Sequence, residues 1–325
     1  MNSDRHKLLQ WASQGDIPAD KLPQAIVAAN VNPNSDQWRS FIDRLLLWAG
    51  STALACGIIF FIAFNWEAFG RFAKFGLIEA VIIISTFLYF KLDKDSLPAK
   101  ACLLFFSLSL GALMAFYGQT YQTGADPWQL FIYWALLILP WVIVARFAPL
   151  AMLWIGLINV GIYLYVDLYH RSWGFWLNQE VYIWLLFFAL NSVLHVSWEW
   201  LGKYSQAYAV RWAPRILAIA SGGLITLLTC YFIIDHSNAT AHTIVTYPLW
   251  LAGMYYAYRK RDIDLFMLAG MSISLVTVLS TTLTWFLIET LDEAIVNGAF
   301  FIAIFVLVIT SYLAKWLKSV YKETL

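Results

Sequence analysis

Charge is what this sequence has least of. Asp, Glu, Lys and Arg together make 13% of its 325 residues, against roughly 25% in a soluble domain. Its net charge of +1 also lacks the basic excess that a nucleic-acid partner needs. Cysteine is scarce: Cys56, Cys102 and Cys230 each fall inside an apolar run, which reads as small buried hydrophobes and not as a disulfide framework or a thiolate metal site. A glycine-rich phosphate loop, a serine elbow and an HExxH helix are all missing, so no metal or cofactor is expected. The first 44 residues carry charges and prolines where a cleavable leader would carry a short apolar core.

Hydrophobic sequence fills the space that charge leaves. The chain is 61% hydrophobic with a mean hydropathy of +0.66. About ten apolar runs follow one another, at residues 45–64, 72–90, 101–117, 128–145, 150–168, 181–197, 216–234, 243–258, 265–288 and 298–314. Runs of roughly 16–24 residues make helices of about 24–36 Å, enough for a ~30 Å hydrocarbon core. The expected fold is all-α: a polytopic transmembrane helix bundle over 45–315, with a first half at 45–168 and a second at 181–315. A short tail, 316–325, follows. Residues 1–44 read as an amphipathic helical module on the cytoplasmic side. In its third helix Trp38, Phe41, Ile42 and Leu45 recur at i, i+3, i+4 and i+7.

The few cations orient the chain. With ten spans, 18 of the 21 Lys and Arg fall on the face that holds both termini, and only Arg71, Lys74 and Arg171 fall on the other. The positive-inside rule then predicts both termini in the cytoplasm.

Two polar stretches lie on the opposite, far face. One is GQTYQTGADPW, Gly118 to Trp128. Asp126-Pro127 is a helix start, with Asp capping the free amides and Pro losing no hydrogen bond at the first position. Gly124 allows a positive φ before the cap. Tyr121 and Trp128 suit the membrane–water boundary. Gln119, Thr120, Gln122 and Thr123 have no such structural duty. The other stretch is NWEAFGRFAK. On a helix starting near Trp66, Glu67, Arg71 and Lys74 fall at i, i+4 and i+7 and share a face. Two readings stand: an anion-binding cluster, or a Glu67–Arg71 pair with Lys74 reaching to the interface. The candidate binding cluster is therefore Glu67, Arg71, Lys74, Gln119, Tyr121, Gln122 and Asp126.

Three further polar residues are expected inside spans. Glu79 should face protein or water and have a partner, as a protonatable relay or as an interfacial pair with Lys74. Asn191 and His195, four apart, make either a proton relay or an interhelical hydrogen bond. Asp235, His236 and His242 in DHSNATAH have no metal spacing, and Asn238 begins a glycosylation sequon. Glu289, Asp292 and Glu293 read as a solvated acidic loop. Small residues at four-residue spacing (Ala49, Ala53, Gly57; Ala218, Gly222) indicate close helix packing.

The stretches FNWEAFGRFAKF, GQTYQTGADPWQLF and ILPWVIVARFAPL, with Leu8, Trp11, Gly15 and Ile17 in the lead-in, resemble the bacterial predicted membrane proteins of domain-of-unknown-function family 2157. The resemblance covers about residues 5–165. It implies an inner-membrane location and no particular activity. Members are often encoded beside a small protein bearing a GDYxxLxY motif, which implies an envelope partner.

Three functions are compatible with these features. The first is an envelope binding or assembly protein whose far-side loops recognise a lipid, glycan or protein. The second is a small-solute secondary transporter built as five plus five spans in inverted topology. Against it, Pro140 and Pro248 fall in spans four and eight, which do not correspond in such a division. The third is a membrane enzyme acting on a lipid-linked substrate, with Glu67 or Asp126 as acid or base.

Overall fold

The computed structural model describes residues 66–169, 180–235, 242–291 and 295–323, together with scattered positions before residue 66. Most of the lead-in, the first apolar run at 45–64, residues 236–241 of DHSNATAH, Arg171 and the Asp292 and Glu293 part of the acidic loop lie outside the described residues. The chain divides into two compact units, Met1–Lys74 and Phe75–Leu325.

Among the described residues there is no strand. The helices are α1 (Arg71–Lys91), α2 (Leu97–Tyr121), α3 (Pro127–Ala145), α4 (Ala148–Tyr169), α5 (Glu180–Tyr204), α6 (Trp212–Asp235), α7 (Thr243–Tyr255), α8 (Leu265–Leu291) and α9 (Ile295–Glu323). All but α7 contain a stretch long and apolar enough to cross a membrane. These eight stretches have 19 to 25 residues, about 28–38 Å of helix. The fold is thus an all-α polytopic membrane bundle. The expected eighth span is a shorter element: the 13 residues of α7 continue into a six-residue π-helix, Tyr256–Arg261.

In the second unit, neighbours in sequence pack as neighbours in space: α2 on α3, α3 on α4, α5 on α6, α8 on α9. Short connections leave little other choice. α6 also touches α7 and α8, and it is the most buried of the eight spans. Its Gly222 shows why small residues sit here. A Cβ on Gly222 would lie 2.7 Å from the Trp250 ring of α7. Gly111 against Trp134, and Gly161 against Ile132, follow the same logic. Two indole N–H groups also bond across helices: Trp134 Nε1 donates to the Ser107 carbonyl at 2.7 Å and Trp154 Nε1 to that of Ala135 at 3.1 Å. Cys102 and Cys230 are free thiols, half-buried within helices.

Two ends can be told apart by their contacts. Asp126, at the start of α3, bonds to Tyr169 at the end of α4; this is the far end. Arg211, before α6, bonds to Asp264, before α8, and Arg259 pairs with Glu323 at the end of α9; this is the near end.

Candidate functional site

The far-end stretch begins inside a helix. Gly118 to Tyr121 form the last turn of α2, not a loop. Gln122 ends that helix in the left-handed conformation, φ 45°, and its N–H returns to the Gly118 carbonyl. A left-handed residue with a side chain costs roughly 1–2 kcal/mol and is usually Gly or Asn. Gln122 thus occupies a backbone position that favours Gly or Asn. Gly124 takes the expected positive φ, +66°. Gln119, Tyr121 and Gln122 are exposed.

Asp126 holds the N-cap position before Pro127, as the dipeptide predicts. Its side chain, however, caps no amide. The carboxylate accepts the Tyr169 hydroxyl at 2.9 Å and the Trp128 indole N–H at 3.3 Å. The N3 amide of Gln129 is already taken by the Asp126 backbone carbonyl at 3.0 Å. That leaves the carboxylate for a charge-assisted bond to Tyr169, which ties α3 to α4 across 43 residues of sequence. Tyr165 reinforces the tie, with its ring edge-on to Trp128 at 4.8 Å and beside Tyr169 at 5.0 Å.

In the first unit the expected continuous helix from Trp66 does not form. Trp66–Ala68 is a single 3₁₀ turn, Phe69 and Gly70 are non-helical, and α1 starts at Arg71. Gly70 is the break, and it takes Glu67 out of helical register with Arg71 and Lys74. Glu67 is exposed, and among the described residues no ion pair joins it to Arg71. The two cations lie over aromatic rings: Arg71 above Phe72 at 5.2 Å and Lys74 above Trp66 at 5.0 Å. Glu79 is exposed.

The tightest gathering of polar groups is at the near end. α5 carries Asn191, His195 and Glu199 at four-residue spacing, hence on one face. Asn191, buried, donates to Asn159 of α4 at 2.8 Å, the interhelical bond that was one of its two readings. His195, also buried, lies 2.6 Å from the Tyr258 hydroxyl, with the rings parallel. Tyr258 donates to Glu199 at 2.8 Å. Glu199 accepts Arg211 at 3.3 Å. Arg211 then gives its Nε and Nη2 to Asp264 at 3.1 and 2.6 Å, and Arg215 adds a second fork at 3.1 and 3.2 Å. Tyr258 belongs to the π-helix, and its hydroxyl meets both His195 and Glu199.

Asp264 is the hub. Its side chain is 3% exposed, and its Oδ1 also accepts the Phe266 amide at 2.9 Å, capping α8. Burial alone would raise its pKa, but the hydrogen bonds and charges of Arg211 and Arg215 outweigh that and hold it below the usual carboxylate range. For Arg211, burial works to lower the pKa and is outweighed by Asp264 and Glu199, which raise it.

Of the predicted site residues, the structure joins Asn191 to Asn159 and His195 to Tyr258, and ties Asp126 to Tyr169. Glu199, Arg211, Arg215, Tyr258 and Asp264 went unselected. Two signals for them were present. Glu199 extends the Asn191–His195 spacing by one turn, and Asp264 stands directly before an apolar run, where a capping residue belongs. No group of three or more His, Cys, Asp or Glu residues with metal-binding geometry occurs among the described residues.

Helices of this length and apolarity, with polar side chains paired between them, define a polytopic α-helical membrane protein. Residues 9–151 match the model of the family described as "Predicted membrane protein (DUF2157)". No curated protein and no solved structure matches the chain.

Proposed function

We propose that the protein is a binding or assembly component of the bacterial inner membrane, with both termini cytoplasmic. Residues 1–44 form its cytoplasmic module. Gly118–Trp128 forms its extracytoplasmic recognition surface. Its partner is an envelope protein or the headgroup of a lipid or glycan.

One observation carries this reading. Gln119, Tyr121 and Gln122 stand exposed on a backbone held in a costly left-handed turn and braced by the Asp126–Tyr169 bond. Backbone strain of this kind is more common where function requires it. The exposed amides and phenol offer donors and acceptors to a polar partner. Asp126 is engaged by two protein donors, which argues against a role as acid or base.

Two experiments test the proposal. Reporter fusions after residues 95 and 260 should read cytoplasmic, and one near Gly124 should read extracytoplasmic. The reverse pattern at Gly124 would remove the surface from the envelope. Gln119→Ala and Gln122→Ala should leave the folded yield unchanged and reproduce the phenotype of a deletion. If both behave as wild type, the surface has no binding role.

Secondary transport is the second reading. The hydrogen-bonded pairs Asn159–Asn191 and His195–Tyr258–Glu199, which meet along α5, support it, since polar groups inside spans are often proton paths. Reconstituted vesicles should then show proton flux that His195→Phe abolishes.

A further inference from the structure

A cleft of ≈450 Å³ runs between α6, α7 and α8. Its lining on α8 extends from Phe266, beside the near-end arginines, to Thr277. Eleven residue steps of helix span about 16 Å, which is half of a ~30 Å hydrocarbon core. The cleft thus has the depth of one leaflet.

It opens outward. Ile219, Leu227 and Ile273 line it and are 61%, 68% and 68% exposed. Two exposed glycines whose added Cβ would meet nothing within 4 Å, Gly223 and Gly270, line it. Gly222, their neighbour, is closed off by Trp250. The space at Gly223 and Gly270 is therefore room, where that at Gly222 is a packing contact.

The wall's hydroxyls are already used. Thr226 donates to the Gly222 carbonyl and lies 2.6 Å from the Ser274 hydroxyl; Ser274 also meets Tyr247 at 3.0 Å. Thr277 donates to the Ile273 carbonyl. A hydrated solute entering here would lose hydrogen bonds without replacement, whereas a hydrocarbon chain has none to lose. At the mouth, the Arg215 guanidinium lies 5.0 Å above the Phe266 ring. Arg215 gives Nε and Nη2 to Asp264. Its Nη1 amino group has no hydrogen bond to a described residue, which leaves donors for an anion.

We infer that this cleft holds one acyl chain of a phospholipid drawn from the near-end leaflet, with the lipid phosphate beside Arg215. The match of cleft depth to leaflet depth, the spent hydroxyls and the cation at the mouth together select this occupant. The site is separate from the far-end surface and stands or falls without it.

The test uses the full chain in mild detergent, mixed with dioleoyl phosphatidylglycerol or phosphatidylcholine and measured by native mass spectrometry. The wild type should take up one lipid saturably, and retain the anionic lipid several-fold more than the zwitterionic one. Gly270→Leu fills the open space at that lining position and should lower the occupied fraction at least tenfold. Val308→Leu, at an exposed position on α9, should leave it unchanged. If Gly270→Leu does not fold, Gly223→Leu is judged by the same criterion. Three outcomes overturn the proposal: no saturable lipid on the wild type, equal occupancy in the filled variant, or a dimer of the chain in place of the lipid adduct. Equal retention of the two lipids overturns the place of the phosphate beside Arg215.

Discussion

The two ends of the bundle use the same kinds of residue in opposite ways. At the near end, Asp264, Arg211, Arg215, Glu199, Tyr258 and His195 are linked to one another in a connected series. At the far end, Gln119 and Gln122 face outward, Tyr121 lies beside the Tyr117 ring at 4.7 Å, and Asp126 is tied to Tyr169. The near end closes the bundle, joining the segments before α6 and α8 and the end of α5. The far end presents a surface. A polar residue in a membrane protein is therefore not by itself a sign of function. What separates the two cases is whether another segment supplies its partner.

The sharpest way to break this comparison is at Asp264. Asp264→Ala leaves two arginines facing each other and uncaps α8. Breaking a buried pair costs about 3–5 kcal/mol. The Arg211 and Arg215 side chains are 42% and 36% exposed, so solvent screening reduces the expected loss to roughly 2–4 kcal/mol. Thermal unfolding in detergent measures it, and an unchanged midpoint would mean that the near end is not a closing device.

The same carboxylate sets an acid limit. Its folded pKa lies below its ordinary value of 3.8. Its contribution is therefore complete above pH 3.8 and is lost as pH falls through the lower, folded value. Between pH 7 and 5 this group should cause no loss of stability. Asp264→Asn should remove the part of the acid destabilisation that appears below about pH 4. Unfolding midpoints measured along a pH series check the sign.

Smaller effects are expected deeper in the bundle and at the brace. Asn191→Leu removes the bond to Asn159 and should cost about 0.6–1.7 kcal/mol, the usual range for polar contacts between membrane helices. Asp126→Ala should cost about 0.5–1.5 kcal/mol. Tyr169→Phe should cost a similar amount, and the double variant little more than either. Additive losses would contradict the brace and restore a capping role for Asp126.

The smallest change sharpens the comparison most. Gln122→Gly relieves the left-handed backbone and should raise stability by up to about 1 kcal/mol while deleting the exposed side chain. Gln119→Ala should stay within about 0.5 kcal/mol of wild type. If either variant is strongly destabilised, the far-end side chains are packed, not presented.

Much of the fold was legible from pattern. The runs at 72–90, 128–145 and 150–168 fall within one or two residues of α1, α3 and α4, because a span's length is imposed by the bilayer and shows directly as uninterrupted apolar sequence. Helix ends that carry polar residues were read short. α5 continues past 197 to Tyr204 and so carries Glu199 within the helix. α2 continues to Tyr121. Gly70 was present in the sequence as a break, yet the spacing of Glu67, Arg71 and Lys74 suggested an unbroken face.

The amino-acid sequence alone determined that this chain is a helical membrane protein, where most of its helices run, and that Asp126-Pro127 begins a helix. These follow from local properties: the hydrophobicity of consecutive residues and the φ that Pro and Gly accept. Only the tertiary structure decided which polar groups are partnered. Arg211 and Asp264 meet across 53 residues, His195 and Tyr258 across 63, and Asp126 and Tyr169 across 43. No local pattern encodes such pairings, because they arise from how separate helices pack. In a medium without water, an unpaired polar group costs several kcal/mol, so that packing fixes which polar residues close the bundle and which remain for a partner.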